Sequence, residues 1–191
     1  MSRRSPFRKV SAVALLALPV LVATFSREAP ADGPSRGEAA YLVVHEVLVS
    51  PRCRNCHPIG DAPLHGDQGI PHSMNVTRAS PPSGLPCTTC HRAANGTALG
   101  SPPGVPGWHM PSREMPMVFQ GKSPHDLCEQ LKDPARNGGR SGEALAEHMG
   151  HDPLVLWGWS PGPGRSTPRV PHEVFAKAAE TWVHEGMPCP P

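Results

Sequence analysis

The chain has 191 residues, room for one domain and a tail, with a formal net charge of +2 when His is neutral. Its 26 Pro and 19 Gly interrupt helices and strands throughout, and with hydrophobic residues at 38% and aromatics at 5% a conventional side-chain core is thin for this length. Either much of the chain is disordered or something besides side chains supplies apolar core; no basic tract lies beyond the N-terminus, so there is no nucleic-acid footprint.

In chain order, residues 1–31 read as a targeting segment. "MSRRSPFRK" is a basic opening with Arg3, Arg4, Arg8 and Lys9, "VSAVALLALPVLVATF" is apolar from Val10 to Phe25, and "APA" (29–31) is a small-x-small cleavage site. The apolar run contains a Pro and falls short of the roughly twenty residues a span needs, which suits a cleaved signal better than a retained anchor. Arg3-Arg4 lacks the wider twin-arginine context, so the expected route is Sec export to the periplasm, an oxidising compartment. A membrane partner enters only if the segment stays uncleaved.

Residues 32–191 are expected to form a single domain. "SREAPADGPSR" (26–36) is a polar linker. "GEAAYLVVHEVLVS" (37–50) predicts a helix, with strand as the rival because of its β-branched content. Residues 58–86 and the stretch "SPPGVPGWHMPSREMPM" predict loops. "SPHDLCEQLKD" starts a helix with Ser123 as N-cap and Pro124 in the first turn; "SGEALAEHMG" predicts another, capped by Ser141 and stopped by Gly150. "LVLWGWSPGPGR" reads as loop. "PHEVFAKAAETWVHEG" predicts the strongest helix, with Val174, Phe175, Ala178, Ala179, Trp182 and Val183 on one face and Gly186 at its end. The fold class is mostly α with extensive Pro/Gly-rich loops and no sheet beyond short pairings.

Cys-x-x-Cys-His is written twice, as "CRNCH" at 53–57 and "CTTCH" at 87–91. Two thiols at this spacing can each add to one vinyl group of haem, and the adjacent imidazole can reach the iron, which is the c-type attachment motif. Three rivals weigh less. One zinc on four thiolates leaves both following His unexplained, a thioredoxin-like pair lacks its βαβ context, and simple disulfides ignore the repeated His. The expectation is two covalently attached c-type haems at Cys53, Cys56 and His57 and at Cys87, Cys90 and His91, forming much of the core. Without haem the chain should present two facing cavities lined by the motifs.

Each iron needs a sixth ligand, and bis-His ligation lowers the potential relative to His–Met. His72 comes first, in the loop between the motifs where it can fold over either haem. His109 beside Trp108 follows, then His148 and His151 at a helix end, where a cation is favoured anyway, and Met117, which could equally be core filler. Cys128 and Cys189 remain after the four haem thiols; in an oxidising compartment they predict a disulfide holding the C-terminal tail to the Cys128 helix, the alternative being two free thiols. Trp157 and Trp159 either wall a haem or pack the last helix.

The stretches "CRNCHPIGDAPLHGD", "PHSMNV", "CTTCH", "GWHMP", "LCEQLKDPARNGG", "LVLWGWSPGPGR" and "GMPCP" resemble a bacterial family of small dihaem c-type cytochromes often labelled isoquinoline 1-oxidoreductase subunit-like. The resemblance covers about Tyr41 to Pro191. It implies a small dihaem cytochrome c fold organised around two covalent haems, and an electron-transfer subunit that accepts electrons from a dehydrogenase or molybdenum hydroxylase and passes them to a downstream acceptor. It makes His72, His109, His148 and His151 motif positions without saying which binds iron. No molybdopterin or iron–sulfur signature is present, so the chain itself is expected to be a carrier rather than an enzyme. The alternatives are a small peroxidase-like haem enzyme and a haem-based ligand sensor, each needing one open iron.

Overall fold

A computed structural model describes residues 33–191; the expected signal segment, residues 1–31, lies outside the described residues. The described chain is mostly helical, with six α-helices and one two-stranded sheet.

α1 (Arg36–Leu48) begins with a reciprocal capping box. Ser35 Oγ accepts the Glu38 N–H at 3.2 Å, and the Glu38 carboxylate accepts the Ser35 N–H at 2.7 Å. Its buried stripe, Tyr41, Val44, Val47 and Leu48, has helical and not alternating spacing, which decides the segment against strand. α2 (Pro51–Arg54) follows after two residues and carries Cys53. β1 (Leu64–His65) pairs antiparallel with β2 (Ile70–Pro71), placing Leu64 opposite Pro71 and His65 opposite Ile70. A 3₁₀ turn at Cys87–Thr89 carries the second motif.

α3 (Pro124–Lys132) and α4 (Gly142–His151) start at serines whose hydroxyls accept the N–H three residues on, Asp126 at 3.1 Å and Ala144 at 3.2 Å. α4 does not stop at Gly150. It runs to His151 and ends where Pro153 forces Asp152 into extended backbone, ψ 127°. The next stretch is also more regular than a loop. Asp152 Oδ1 accepts the Leu154 N–H at 2.8 Å and Pro153 occupies the first turn, so α5 (Pro153–Leu156) forms and continues as a 3₁₀ turn at Trp157–Trp159. α6 (His172–His184) ends at Gly186, whose φ of +81° is a left-handed conformation that glycine adopts freely.

Helices α1, α3, α4 and α6 enclose the core: Tyr41, Leu127, Leu131, Leu145, Phe175 and Trp182 are each no more than 2% exposed. Trp182 stacks obliquely on Tyr41 at 4.9 Å and donates its indole N–H to Pro188 O at 3.1 Å, so its bulk is buried and its one polar atom satisfied. Val174, predicted on the apolar face of α6, is 46% exposed; the buried face centres on Phe175, Ala178, Ala179 and Trp182 instead. Cys128 and Cys189 are joined, with their Cα atoms 5.6 Å apart, and this holds the C-terminal tail against α3. The tail lies so close to α1 that a Cβ at Gly37 would meet Pro188 Cγ at 2.5 Å. Among the described residues no helix is long and apolar enough to cross a membrane.

Candidate functional site

The positions Cys, Cys and His of each motif fall at i, i+3 and i+4, the spacing that puts three side chains on one face of a helical turn. The backbone supplies that turn in both places. The His57 N–H bonds to Cys53 O at 3.2 Å and to Arg54 O at 3.1 Å; the His91 N–H bonds to Cys87 O at 3.0 Å. All four thiols are free of disulfides. Among the described residues no three His, Cys, Asp or Glu side chains converge on a common point, so the four thiols are not gathered into one tetrahedral site.

Each motif faces its own cavity. The first, about 420 Å³, is bordered by Cys53, Cys56 and His57 and closed by apolar side chains including Leu48, Leu131, Leu145, Met149 and Phe175. The second, about 510 Å³, is bordered by Cys87, Cys90 and His91 with His65, His72, Leu64, Val76 and Trp108 around it. Both volumes lie in the range of about 300–1,000 Å³ typical of cofactor sites. The cavities adjoin: Arg52, Cys56, His109, Met110 and Trp157 border both.

The two motif histidines are held alike. His57 Nδ1–H donates to Met117 O at 2.7 Å, and its ring stacks on Phe119 at 3.8 Å and 7°. His91 Nδ1–H donates to Pro103 O at 2.8 Å, and its ring stacks on Trp108 at 4.6 Å and 2°. A carbonyl can only accept, so the neutral ring carries its proton on Nδ1 and Nε2 keeps its lone pair. Burial pushes the His57 imidazole down to about 3 and lowers His91 as well, keeping both neutral. Burial also pushes the thiols of the first motif up, Cys53 to about 12 and Cys56 to about 11.

Both supports come from loops that the chain has to bend sharply to deliver. Met117 has φ +43°, a left-handed conformation unfavourable by about 1 kcal/mol or more for a non-glycine residue. Gly104, next to Pro103, lies where a Cβ would sit 2.3 Å from Arg92 O and 2.4 Å from Ala94 O. Asn95 ties this loop to the rest: its Oδ1 accepts the Gly104 N–H at 3.0 Å and the Trp157 indole N–H at 2.8 Å, and its Nδ2 donates to Ser160 O at 2.8 Å.

The remaining candidates separate. His72 borders the second cavity with Nδ1–H donated to Ser73 O at 2.8 Å. His109 borders both, with Nδ1–H donated to Gly107 O at 2.6 Å. His148 borders the first, its Nδ1 held by Asp152 Oδ2 at 3.2 Å; burial lowers its pKa although the carboxylate raises it. His151 borders neither. It is exposed on α4, within 3.8 Å of Glu147. The Met117 side chain borders the first cavity, but its carbonyl sits behind the His57 ring, on the side away from Nε2. Trp157 walls both cavities, whereas Trp159 packs against α6, 5.4 Å from Phe175, and donates to Val170 O.

Arg52 carried no sequence signal beyond its place next to Cys53. Its side chain is 3% exposed, pairs with Asp67 and lies 6.0 Å over the Trp157 ring, on the wall between the cavities. Its Nε is buried without a partner. Desolvation lowers its pKa, against the pull of Asp67. Arg140 borders the first cavity and Arg165 the second. Set against family models, curated proteins and solved structures, the chain matches none.

Proposed function

We propose that the chain is a periplasmic dihaem c-type cytochrome that carries electrons between a dehydrogenase or molybdenum hydroxylase and a downstream acceptor. The observation that carries this reading is the duplicated support. At each motif two thiols and an imidazole share one face of a turn, Nδ1–H is tied to a backbone carbonyl, an aromatic ring fixes the imidazole plane, and a cofactor-sized cavity lies in front. An iron-ligating His needs that second tie, because it fixes both the tautomer and the ring orientation.

The donor set fits haem. Cys53 and Cys56, and Cys87 and Cys90, would hold it through thioethers, with His57 and His91 as proximal ligands. Haem iron supplies one-electron chemistry when bound. The chain's residues orient and tune it. Apolar side chains form much of the wall of the first site. Arg140, Arg165 and the unpartnered Nε of Arg52 offer donors to the carboxylates of a haem. Met117 is better placed as the proximal support of His57, through its carbonyl, than as a distal ligand. His151 has no part in either site. His148 and His109 remain as distal candidates in the first cavity, His72 and His109 in the second. The family resemblance adds the type of donor, and the mixed charge of residues 32–191, with 13 basic and 15 acidic side chains, suits a transient protein partner rather than a polyanion.

Expression with c-haem maturation, followed by a pyridine haemochrome spectrum and intact mass, tests the reading. Two added haems with saturated thioether-type bands are expected. An apo mass with stoichiometric zinc overturns it. Low-spin bands on both haems favour a carrier over a peroxidase-like enzyme or a ligand sensor, each of which needs an open iron.

A further inference from the structure

We infer that His72 is the second axial ligand at the site of the second motif, opposite His91, so that this iron is closed by two imidazoles. The inference rests on the dihaem reading and deepens it by assigning one site to outer-sphere electron transfer alone.

The argument is one of spacing. Imidazole nitrogens sit about 2 Å from a first-row metal and about 1 Å from their ring centre, so trans imidazoles on one metal hold their centroids about 6 Å apart. The centroids of His72 and His91 are 6.0 Å apart, with the ring planes at 56°. At 56° the rings are tilted and not stacked, and no hydrogen bond joins them. The angle between planes is free, since each ring can turn about its own metal–nitrogen bond.

The protonation pattern agrees. His72 Nδ1–H is taken by Ser73 O and His91 Nδ1–H by Pro103 O, both at 2.8 Å. Each ring therefore keeps its lone pair on Nε2, and each has the outer-shell tie of a metal-ligating imidazole.

The backbone fixes His72 where it stands. It directly follows β2, and its N–H donates to Pro63 O at 2.8 Å, just before β1. Met74 and Asn75 then take left-handed conformations, φ +65° and +54°, which turn the chain away immediately after it. Two rivals border the same cavity. His65 lies edge-on to His72 at 6.3 Å, but among the described residues no hydrogen bond sets its tautomer. His109 has such a bond but is exposed and shared between both cavities.

The test uses the full chain matured with c-haem and the variants His72→Ala, His65→Ala and His109→Ala. Attachment depends on the cysteines, so intact mass should show two haems in every variant. In the wild type, low-temperature EPR should include a low-spin bis-imidazole signal from the second-site haem, whatever ligand the first haem takes. His72→Ala should convert that signal, half of the total haem, to high spin, and added imidazole should restore it. His72→Met should stay low-spin and raise that haem's potential. His65→Ala should leave the signal unchanged. An unchanged signal in a doubly haem-loaded His72→Ala protein overturns the ligand assignment but not the dihaem reading, as does its loss in His109→Ala alone. A wild-type chain that takes up no haem overturns both.

Discussion

Replacing Cys128 and Cys189 together by Ala removes the cross-link between α3 and the C-terminal tail. The bond closes a loop of sequence separation 61. The chain-entropy relation for a loop of that size gives a stabilisation of about 4 kcal/mol. For a chain of this length each kcal/mol moves the melting temperature by about 2–4 °C, so a fall of about 8–16 °C is expected. The lower half of that range is favoured by the structure, because other contacts hold the tail in place. Pro188 O accepts the Trp182 indole N–H, and Pro190 O accepts the His125 Nδ1–H at 2.8 Å. Thermal unfolding followed by circular dichroism should show the wild type with reductant melting close to the double variant without it. Intact mass of the double variant should still show two haems, since neither cysteine belongs to a CxxCH face. A fall of less than about 3 °C would refute the entropic reasoning, and loss of a haem would refute the division of the six cysteines into four and two.

Gly104→Ala should disturb the second site and leave the first alone. The new Cβ would meet two backbone oxygens at 2.3 and 2.4 Å, so the loop carrying the Pro103 carbonyl has to shift. The expected readout is loss of the low-spin signal of one haem with a destabilisation of about 1–3 kcal/mol; an unchanged spectrum and melt would show that the loop yields elsewhere. Arg52→Gln should lower both reduction potentials, by tens of millivolts, because a buried cation favours the electron-rich state of anything on either side of it. Spectroelectrochemical titration decides this, and a shift in one haem only would mean that the charge belongs to one cavity.

The helices were legible where local chemistry alone defines them. Ser123 and Ser141 each cap through a side chain only three residues from its partner, and such signals survive in the bare sequence; the Ser35 cap was missed because the polar run 26–36 reads as linker. The end of α4 was misread because glycine is merely tolerant of a helix stop; the proline at 153 enforces one, and it acts on the residue before it, so the helix ends at His151. The α5 segment was hidden by its aromatics and the following "SPGPGR", although Asp152-Pro153 is a start signal. Of the site, the attachment faces could be read because i, i+3 and i+4 are local. The carbonyls of Met117 and Pro103 could not, since a backbone atom 60 or 12 residues away leaves no mark in residue identity. His148 and His151 looked equivalent in sequence. Three residues are less than a full helical turn, about 60° short, and that rotation carries His151 into solvent while His148 borders a cavity.

The wall formed by Arg52, His109, Met110 and Trp157 belongs to two cavities at once. Any free energy by which filling one cavity reshapes that wall must reappear, with equal size, in the filling of the other. Substitutions on the wall should therefore fail to add with substitutions confined to one side, with coupling energies of about 0.5–3 kcal/mol. The chain cannot adjust one site through these side chains while leaving its neighbour as it was, so changes that persist there are constrained to come in compensating pairs.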